Sequence, residues 1–238
     1  MNPVFNRFAL AALLAAAALP ARALEPFSAS YQAYNEGKLV GVAKMRVAPT
    51  EGELWRIDLD IKADRGFAGL IGLNIDQSTV FSVNNNDFRP LGQSTVKHAF
   101  FRNKKATGSY DWKALSARWE GDISDKRTAP VPLQPGDLST LLLNLAVIRD
   151  AEPGKQLSYR VVDNGRAREH RYAVAAETEI VAVEDLSYDA MRVQRSNGGN
   201  DETLFWVANG VPTPVRILQR KDGRDGIDLR LVEYEEVQ

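Results

Sequence analysis

The chain has 238 residues, with 30 Lys plus Arg against 31 Asp plus Glu, and no cysteine. The missing cysteines exclude disulfides, thiolate chemistry and cysteine zinc sites, and the near balance of charge argues against a protein that coats nucleic acid, whose affinity comes from clustered positive charge. The apolar core must therefore carry stability without staples.

Residues 1–23 read as a secretory signal peptide. Met1 to Arg7 carries one positive side chain and no acid, Phe8 to Leu19 is an unbroken apolar run, and Ala21-Arg22-Ala23 puts small residues where a signal peptidase reads. The run is shorter than the ~20 residues that span a bilayer, and no stop-transfer segment follows. The expected product is a soluble periplasmic protein of residues 24–238, a single β-rich domain without a transmembrane span. The leader takes Arg7 and Arg22 and no acid with it, which leaves 28 basic against 31 acidic side chains.

From Glu25 onward, alternation with period two is broken at short intervals by Gly, Asn, Asp and Pro, the pattern of many short antiparallel strands. Trp55, Ile57, Leu59 and Ile61 alternate with Arg56, Asp58, Asp60 and Lys62, so one row faces a core and the other water. Further strands are predicted at 27–35, 38–48, 76–83, 89–98, 106–112, 115–120, 156–163, 166–174, 178–184, 190–196, 202–208, 214–220 and 227–235. Between them lie turn sequences such as Asn35-Glu36-Gly37, Asn84 to Asp87, Asp163-Asn164-Gly165 and Lys221-Asp222-Gly223, which tolerate the positive φ of tight hairpins.

Two stretches break the alternation. Gly66 to Ile75 is apolar and glycine-rich, suited either to plugging one end of a barrel or to a movable cover exposing Phe67, Leu70 and Ile71 to an apolar ligand. Asp137 to Arg149 places Leu138, Leu141, Leu142, Leu145 and Ile148 at helical spacing, with more apolar residues around the axis, and so predicts a helix buried on most sides. Asp137 is positioned to cap it, Arg149 to complement its C-terminal dipole, and Pro153-Gly154 to end it. Pro130, Pro132 and Pro135 precede it in a connection where sheet pairing is not expected. The fold class is mainly β: a strongly curved antiparallel sheet, half-barrel or open barrel, of about 11–13 strands around one buried apolar helix.

Catalytic motifs are scarce. The sequence has no Gly-x-Ser-x-Gly elbow, phosphate-cradling glycine loop or His-Glu-x-x-His helix, and its two histidines, His98 and His170, lie on separate predicted strands. Asp58 and Asp60 share a predicted outward row, where acids are ordinarily solvated; Asp76, near the apolar loop, is the one candidate for a proton-transfer carboxylate. Phe100 to Lys105 interleaves aromatics with positive charge, which suits a charged hairpin end or contact with anionic head groups or a partner through Phe101, Arg102, Lys104 and Lys105. The four tryptophans all fall on predicted strands and are ordinary core residues taken singly.

Pro135 to Leu145 with its Asp137-x-Ser139 start, Phe205-Trp206-Val207-Ala208 running into Pro212 to Ile217, and the Tyr31 to Ala43 strand pair with Gly37 and Gly41 together resemble the DUF3108-type family of exported Gram-negative proteins, a domain of unknown function. The resemblance implies an envelope protein and carries over no catalytic residue. The architecture is also similar, more loosely, to periplasmic lipoprotein carriers, whose half-barrel shelters acyl chains. The expected function is a binding module, with no cofactor and no enzymatic role, for a lipid-like or envelope-derived ligand in a cavity lined by Trp55, Ile57, Leu59, Phe67, Leu70, Ile71, Leu141, Leu145 and Trp206. The alternatives are an envelope scaffold or assembly factor binding another envelope protein and, more remotely, a carboxylate-based enzyme acting on a lipid or cell-wall polymer.

Overall fold

The computed structural model describes residues 24–66, 69, 74–99, 103–183 and 186–237. Among these, eight strands precede helix α1 (Leu142–Asp150): β1 (Phe27–Asn35), β2 (Lys38–Pro49), β3 (Leu54–Ala63), β4 (Asn74–Asn84), β5 (Asp87–His98), β6 (Lys104–Asp111), β7 (Ser116–Gly121) and β8 (Val131–Pro132). Six follow it: β9 (Gln156–Asp163), β10 (Arg166–Val183), β11 (Leu186–Arg195), β12 (Glu202–Ala208), β13 (Arg216–Lys221) and β14 (Arg224–Glu236). All fourteen form one antiparallel sheet in the order β8-β7-β6-β5-β4-β3-β2-β1-β14-β13-β12-β11-β10-β9. The curved antiparallel sheet around a buried helix is as the sequence leads one to expect.

Local chemistry explains the meander. Four hairpins turn on two residues that both have positive φ: Glu36-Gly37 (49° and 73°), Asn85-Asn86 (47° and 68°), Asn164-Gly165 (49° and 68°) and Asp222-Gly223 (50° and 74°). That is the geometry whose twist matches right-handed strands, and it pins their register. Register shifts at Ser30/Tyr31, Ala33/Tyr34, Val80/Phe81, Val174/Thr178 and Leu218/Arg220 bend the sheet. The shift in β10 fuses the predicted strands 166–174 and 178–184 into a single 18-residue strand.

The ends of the sheet are drawn together by backbone pairing. Leu138, just after β8, bridges Val161 of β9 in parallel: its N–H donates to Arg160 O at 3.0 Å and its carbonyl accepts from Val162 N–H at 2.8 Å. The result is a nearly closed barrel. The proline-rich connection departs from expectation here, since Val131 and Pro132 pair with Ala117 and Ser116 as a short edge strand, a position that proline tolerates.

The helix is shorter than predicted. Leu138 is committed to the bridge, so the first turn cannot begin at Asp137. The Asp137 carboxylate instead accepts from Gln134 N–H at 2.8 Å and from Arg160 at 2.5 Å. Ser139 takes over near the helix start: its Oγ accepts from Leu142 N–H at 3.3 Å and lies 3.0 Å from Thr79 Oγ1. Leu142 to Val147 are all buried, and α1 packs on β5, β9 and β12. Arg149 does more than face the dipole. It grips Asp150 with Nε (2.6 Å) and Nη2 (2.7 Å), donates to Asn86 O at 2.7 Å and lies 5.2 Å over the Phe88 ring, tying the helix to the β4–β5 turn.

Apolar side chains from the strands and helix form one continuous cluster that includes Phe27, Tyr31, Met45, Ile57, Phe81, Leu142, Tyr172 and Leu231. A second cluster, made of Tyr110, Ala117, Trp119, Val131 and Leu133 with Val162, packs β6–β8 against the end of β9.

Candidate ligand-binding site

The predicted cavity-lining residues divide into three groups. Ile57, Leu59, Leu141 and Leu145 are buried together in the main cluster with the leucines of α1, and Trp55 packs against that cluster half-buried. Trp206, also in the cluster, donates its indole N–H to Glu179 Oε1 and lies 4.7 Å beneath the Arg216 guanidinium. Phe67, Leu70 and Ile71 lie outside the described residues, as do Phe101 and Arg102. Lys105 has its backbone N–H on Asp122 Oδ2 at 2.9 Å. Lys104 falls in a place the sequence reading did not single out.

That place is a polar cavity of about 330 Å³ at one end of the barrel. Strand register builds it. Gln77, Thr95 and Ala106 are consecutive cross-strand partners on β4, β5 and β6, and Lys97 pairs with Lys104 one step nearer the rim. Because side chains alternate along a strand, Gln93, Thr95 and Lys97 share a face with Lys104 and Ala106, and all of them line the cavity. Further along β5, across the register shift opposite Val80/Phe81, the residues are the buried Phe88 and Pro90. One strand therefore contributes core at one end and polar wall at the other. Trp119 of β7, Asp122 and the Asp163-Asn164 turn complete the enclosure.

A hydrogen-bonded chain sets the cavity floor. Gln93 Nε2 donates to Asp163 Oδ1 at 2.5 Å, and Thr140 donates to Asp163 Oδ2. Tyr110 donates to Gln93 Oε1 and to Val162 O, the latter at 2.7 Å. Burial, reinforced by the charges of Asp163 and Asp137, pushes the Tyr110 phenol well above its usual range, so it stays a neutral donor. Gly165, in the turn that carries Asp163, is required by contact as well as by φ: a Cβ there would sit 2.2 Å from Arg127 O.

Trp119 is the anomaly of the site. It is 3% exposed, its ring meets Tyr110 edge-on at 5.5 Å, and its indole N–H is buried with no hydrogen-bond partner. Room for the indole exists only because β6 has glycine opposite: a Cβ on Gly108 would fall 2.5 Å from Trp119 Nε1. At the rim, Lys97 and Lys104 are exposed and make no ion pair among the described residues.

The other groups weighed from sequence lie elsewhere. Asp76 is partly exposed and 3.1 Å from His98 Nε2, not enclosed in an apolar cavity. Asp58 pairs with Arg56 at 2.8 Å, and the Asp60 carboxyl is raised by burial and by its neighbours Asp76 and Asp58. His170, half-buried with Tyr172 Oη at 3.4 Å, is lowered to about 4 by burial and by Arg195 and Arg168.

The polar cavity escaped the sequence reading because Gln93, Thr95 and Lys97 alternate with Ser94, Val96 and His98, so neither row of β5 announces itself as interior. The available signal was negative: a strand in a core-facing position with no apolar row at one end.

The fold is similar to the crystal structure of a beta-barrel-like protein of domain of unknown function DUF1849 from Brucella abortus, with a TM-score of 0.56 and 12% identity over 90% of this chain and 99% of that one. A DUF1089 family protein from Pseudomonas aeruginosa is also similar, more distantly, with a TM-score of 0.38 and 10% identity over 73% of this chain and 87% of that one. At these identities the first likeness speaks to fold alone. No curated protein matches the chain in sequence. The family model for proteins of unknown function DUF3108 matches residues 27–230, and the chain belongs to that family.

Proposed function

We propose that this protein is a periplasmic binding module whose nearly closed barrel presents its ligand site at the polar end, taking an envelope-derived, lipid-like molecule by its polar group. One observation carries the reading: a cavity of about 330 Å³ at this end is lined by the convergent polar side chains of Gln77, Gln93, Thr95, Lys97 and Lys104 beside the Trp119 ring. A concave site with a few convergent polar groups is where the polar end of a small molecule is ordinarily recognised. The leucines of α1 are buried in the apolar cluster, which favours recognition of a polar group at the open end over swallowing of an acyl chain. The N-terminal signal sequence supports the periplasmic address.

The test is native mass spectrometry of protein purified from the periplasm, beside an Ala106→Trp variant that fills the cavity. A bound mass on the unaltered protein that is absent from the variant is expected. An empty chain in every preparation, or a mass retained by the variant, contradicts the proposal.

A second reading, an assembly factor acting by protein contact, is favoured by β10. This strand pairs with β9 only over residues 166–173, so beyond Ala175 its outer edge has no backbone partner among the described residues, and Ile180 on it is 70% exposed. Such an edge can accept an added strand. Crosslinking from position 180 in cells would capture a partner if it does.

A further inference from the structure

We infer that the cavity takes a neutral polyhydroxylated group, a sugar ring, whose hydroxyls are shared among the side chains of Gln77, Thr95 and Asn164 with Lys104 and Asp122 beside them. This rests on the binding reading above and adds the chemistry of what is bound.

Part of the wall's hydrogen-bonding capacity is spent and part is open. Gln93 is committed through both ends of its amide, to Asp163 and to Tyr110, and both Asp163 oxygens already accept, from Gln93 and Thr140. These groups make a fixed floor. The Gln77 amide, the Thr95 hydroxyl and the Asn164 amide also line the space, and their side chains make no hydrogen bond among the described residues. All three can both donate and accept. An amide presents its NH₂ and its carbonyl side by side, which matches a pair of neighbouring hydroxyls, since every hydroxyl gives one hydrogen and accepts another. Register sets two of the three together: Gln77 and Thr95 are direct cross-strand partners, a spacing of about 5 Å between Cβ atoms, and the next partner, Ala106, is small enough to leave the space open.

The charges of the wall balance. Lys97 and Lys104 bring two ammonium groups, Asp122 and Asp163 two carboxylates. An anion placed among them meets the carboxylates and a cation meets the lysines, and juxtaposed like charges are costly. A neutral group escapes both penalties. It can also draw on Lys104 as a donor and on Asp122 Oδ1 as an acceptor, since Asp122 spends Oδ2 on Lys105 N–H. The apolar part of the wall is confined to Ala106 and the Trp119 ring, which leaves an acyl chain little to bury against.

The same chemistry could come from a free sugar or from the head group of a glycolipid, and one titration separates them. The side-chain amide signals of Gln77, Gln93 and Asn164 are followed by nitrogen–proton correlation spectra, each assigned by its loss in a single substitution. The protein is titrated in turn with glucose, N-acetylglucosamine, hexyl glucoside and hexyl phosphate. Saturable movement with a sugar probe is expected, weakened about tenfold or more in Gln77→Leu/Thr95→Val, where Gln93 and Asn164 remain as reporters. Both substituted positions are partly exposed, and the backbone amide spectrum of the variant verifies its fold. Saturation by hexyl glucoside alone identifies a glycolipid source, and equal saturation by glucose or N-acetylglucosamine identifies the free sugar. No movement with any sugar probe, movement with hexyl phosphate at equal or lower concentration, or full response in the double variant overturns the sugar assignment. A molecule without a hydroxyl-rich group, found bound to the native protein and absent from Ala106→Trp, would sink this inference while leaving the binding reading standing.

Discussion

The Tyr110 hydroxyl donates to the backbone carbonyl of Val162 at 2.7 Å, joining β6 to β9, strands that stand near opposite ends of the sheet order. The contact closes the barrel with a side chain where no ladder hydrogen bond exists. It also fixes Gln93, which accepts from the same hydroxyl, against Asp163. Tyr110→Phe removes the donor and strands two acceptors next to the cavity. A loss of about 1–3 kcal/mol in denaturant unfolding is expected, together with weaker retention of any bound molecule. Stability unchanged within error would show that the closure is not held here.

Gly108 and Trp119 form a matched pair. Gly108→Ala places a methyl 2.5 Å from Nε1 and 3.0 Å from Gln93 Cγ, so the indole and the floor amide must both move. Overpacking of this kind costs about 1–3 kcal/mol, and the ligand site should suffer more than the fold. Comparing melting temperature with the bound fraction seen by mass spectrometry separates the two effects.

Leu142 is fully buried in α1, and Leu142→Ala should cost about 2–5 kcal/mol through lost burial and the cavity left behind. It also tests whether an acyl chain can be made to enter the barrel. If the helix is the filler, this variant binds a fluorescent fatty-acid probe that the unaltered protein excludes. Equal probe binding by both would mean that the interior already admits chains.

Asp228 is 3% exposed and held by two arginines: Arg216 through Nε and Nη2, both at 2.8 Å, and Arg230 at 2.9 Å. The arginines in turn cover Trp206 and Tyr34, at 4.7 and 4.2 Å from the ring centres. Asp228→Ala leaves two partly buried guanidinium groups without their shared anion, and a loss of about 3–5 kcal/mol is expected in urea unfolding. A smaller loss in Arg216→Ala/Asp228→Ala than in Asp228→Ala would confirm that the uncompensated charge is the cause.

His170 supplies a pH signature. Its imidazole titrates near 4 in the fold against an ordinary value of 6.5, chiefly because burial disfavours the charged ring. The unfolded chain therefore takes up the proton first, and the stability associated with neutral His170 is present above about 6.5 and lost as pH falls towards 4. Replacing His170 with Gln should flatten that part of the plot of unfolding midpoint against pH. A curve of unchanged shape would assign the slope to other groups.

Much of this architecture was legible in the sequence because strand pairing left local marks. The alternation of Trp55 to Lys62 gave β3 and its faces, and Asn164-Gly165 or Asp222-Gly223 announced hairpins by the φ values they tolerate. The start of the helix was not legible. Asp137 has the ordinary appearance of an N-cap, but Arg160, 23 residues later, claims its carboxylate, and the β9 backbone claims Leu138. The polar cavity was hidden for a related reason. Its walls come from Gln77, Lys97, Lys104, Trp119 and Asp163, which sequence spacing does not link and which only the register of four strands and the inward reach of the β9–β10 turn bring together.

The most direct measurement is a high-resolution crystal structure of the protein purified from its native host, read at the polar cavity. The account predicts non-protein density in the cavity, in contact with the polar side chains that line it, Gln77, Thr95 and Lys104 among them. A cavity holding solvent alone, or side chains collapsed into the space, would contradict it.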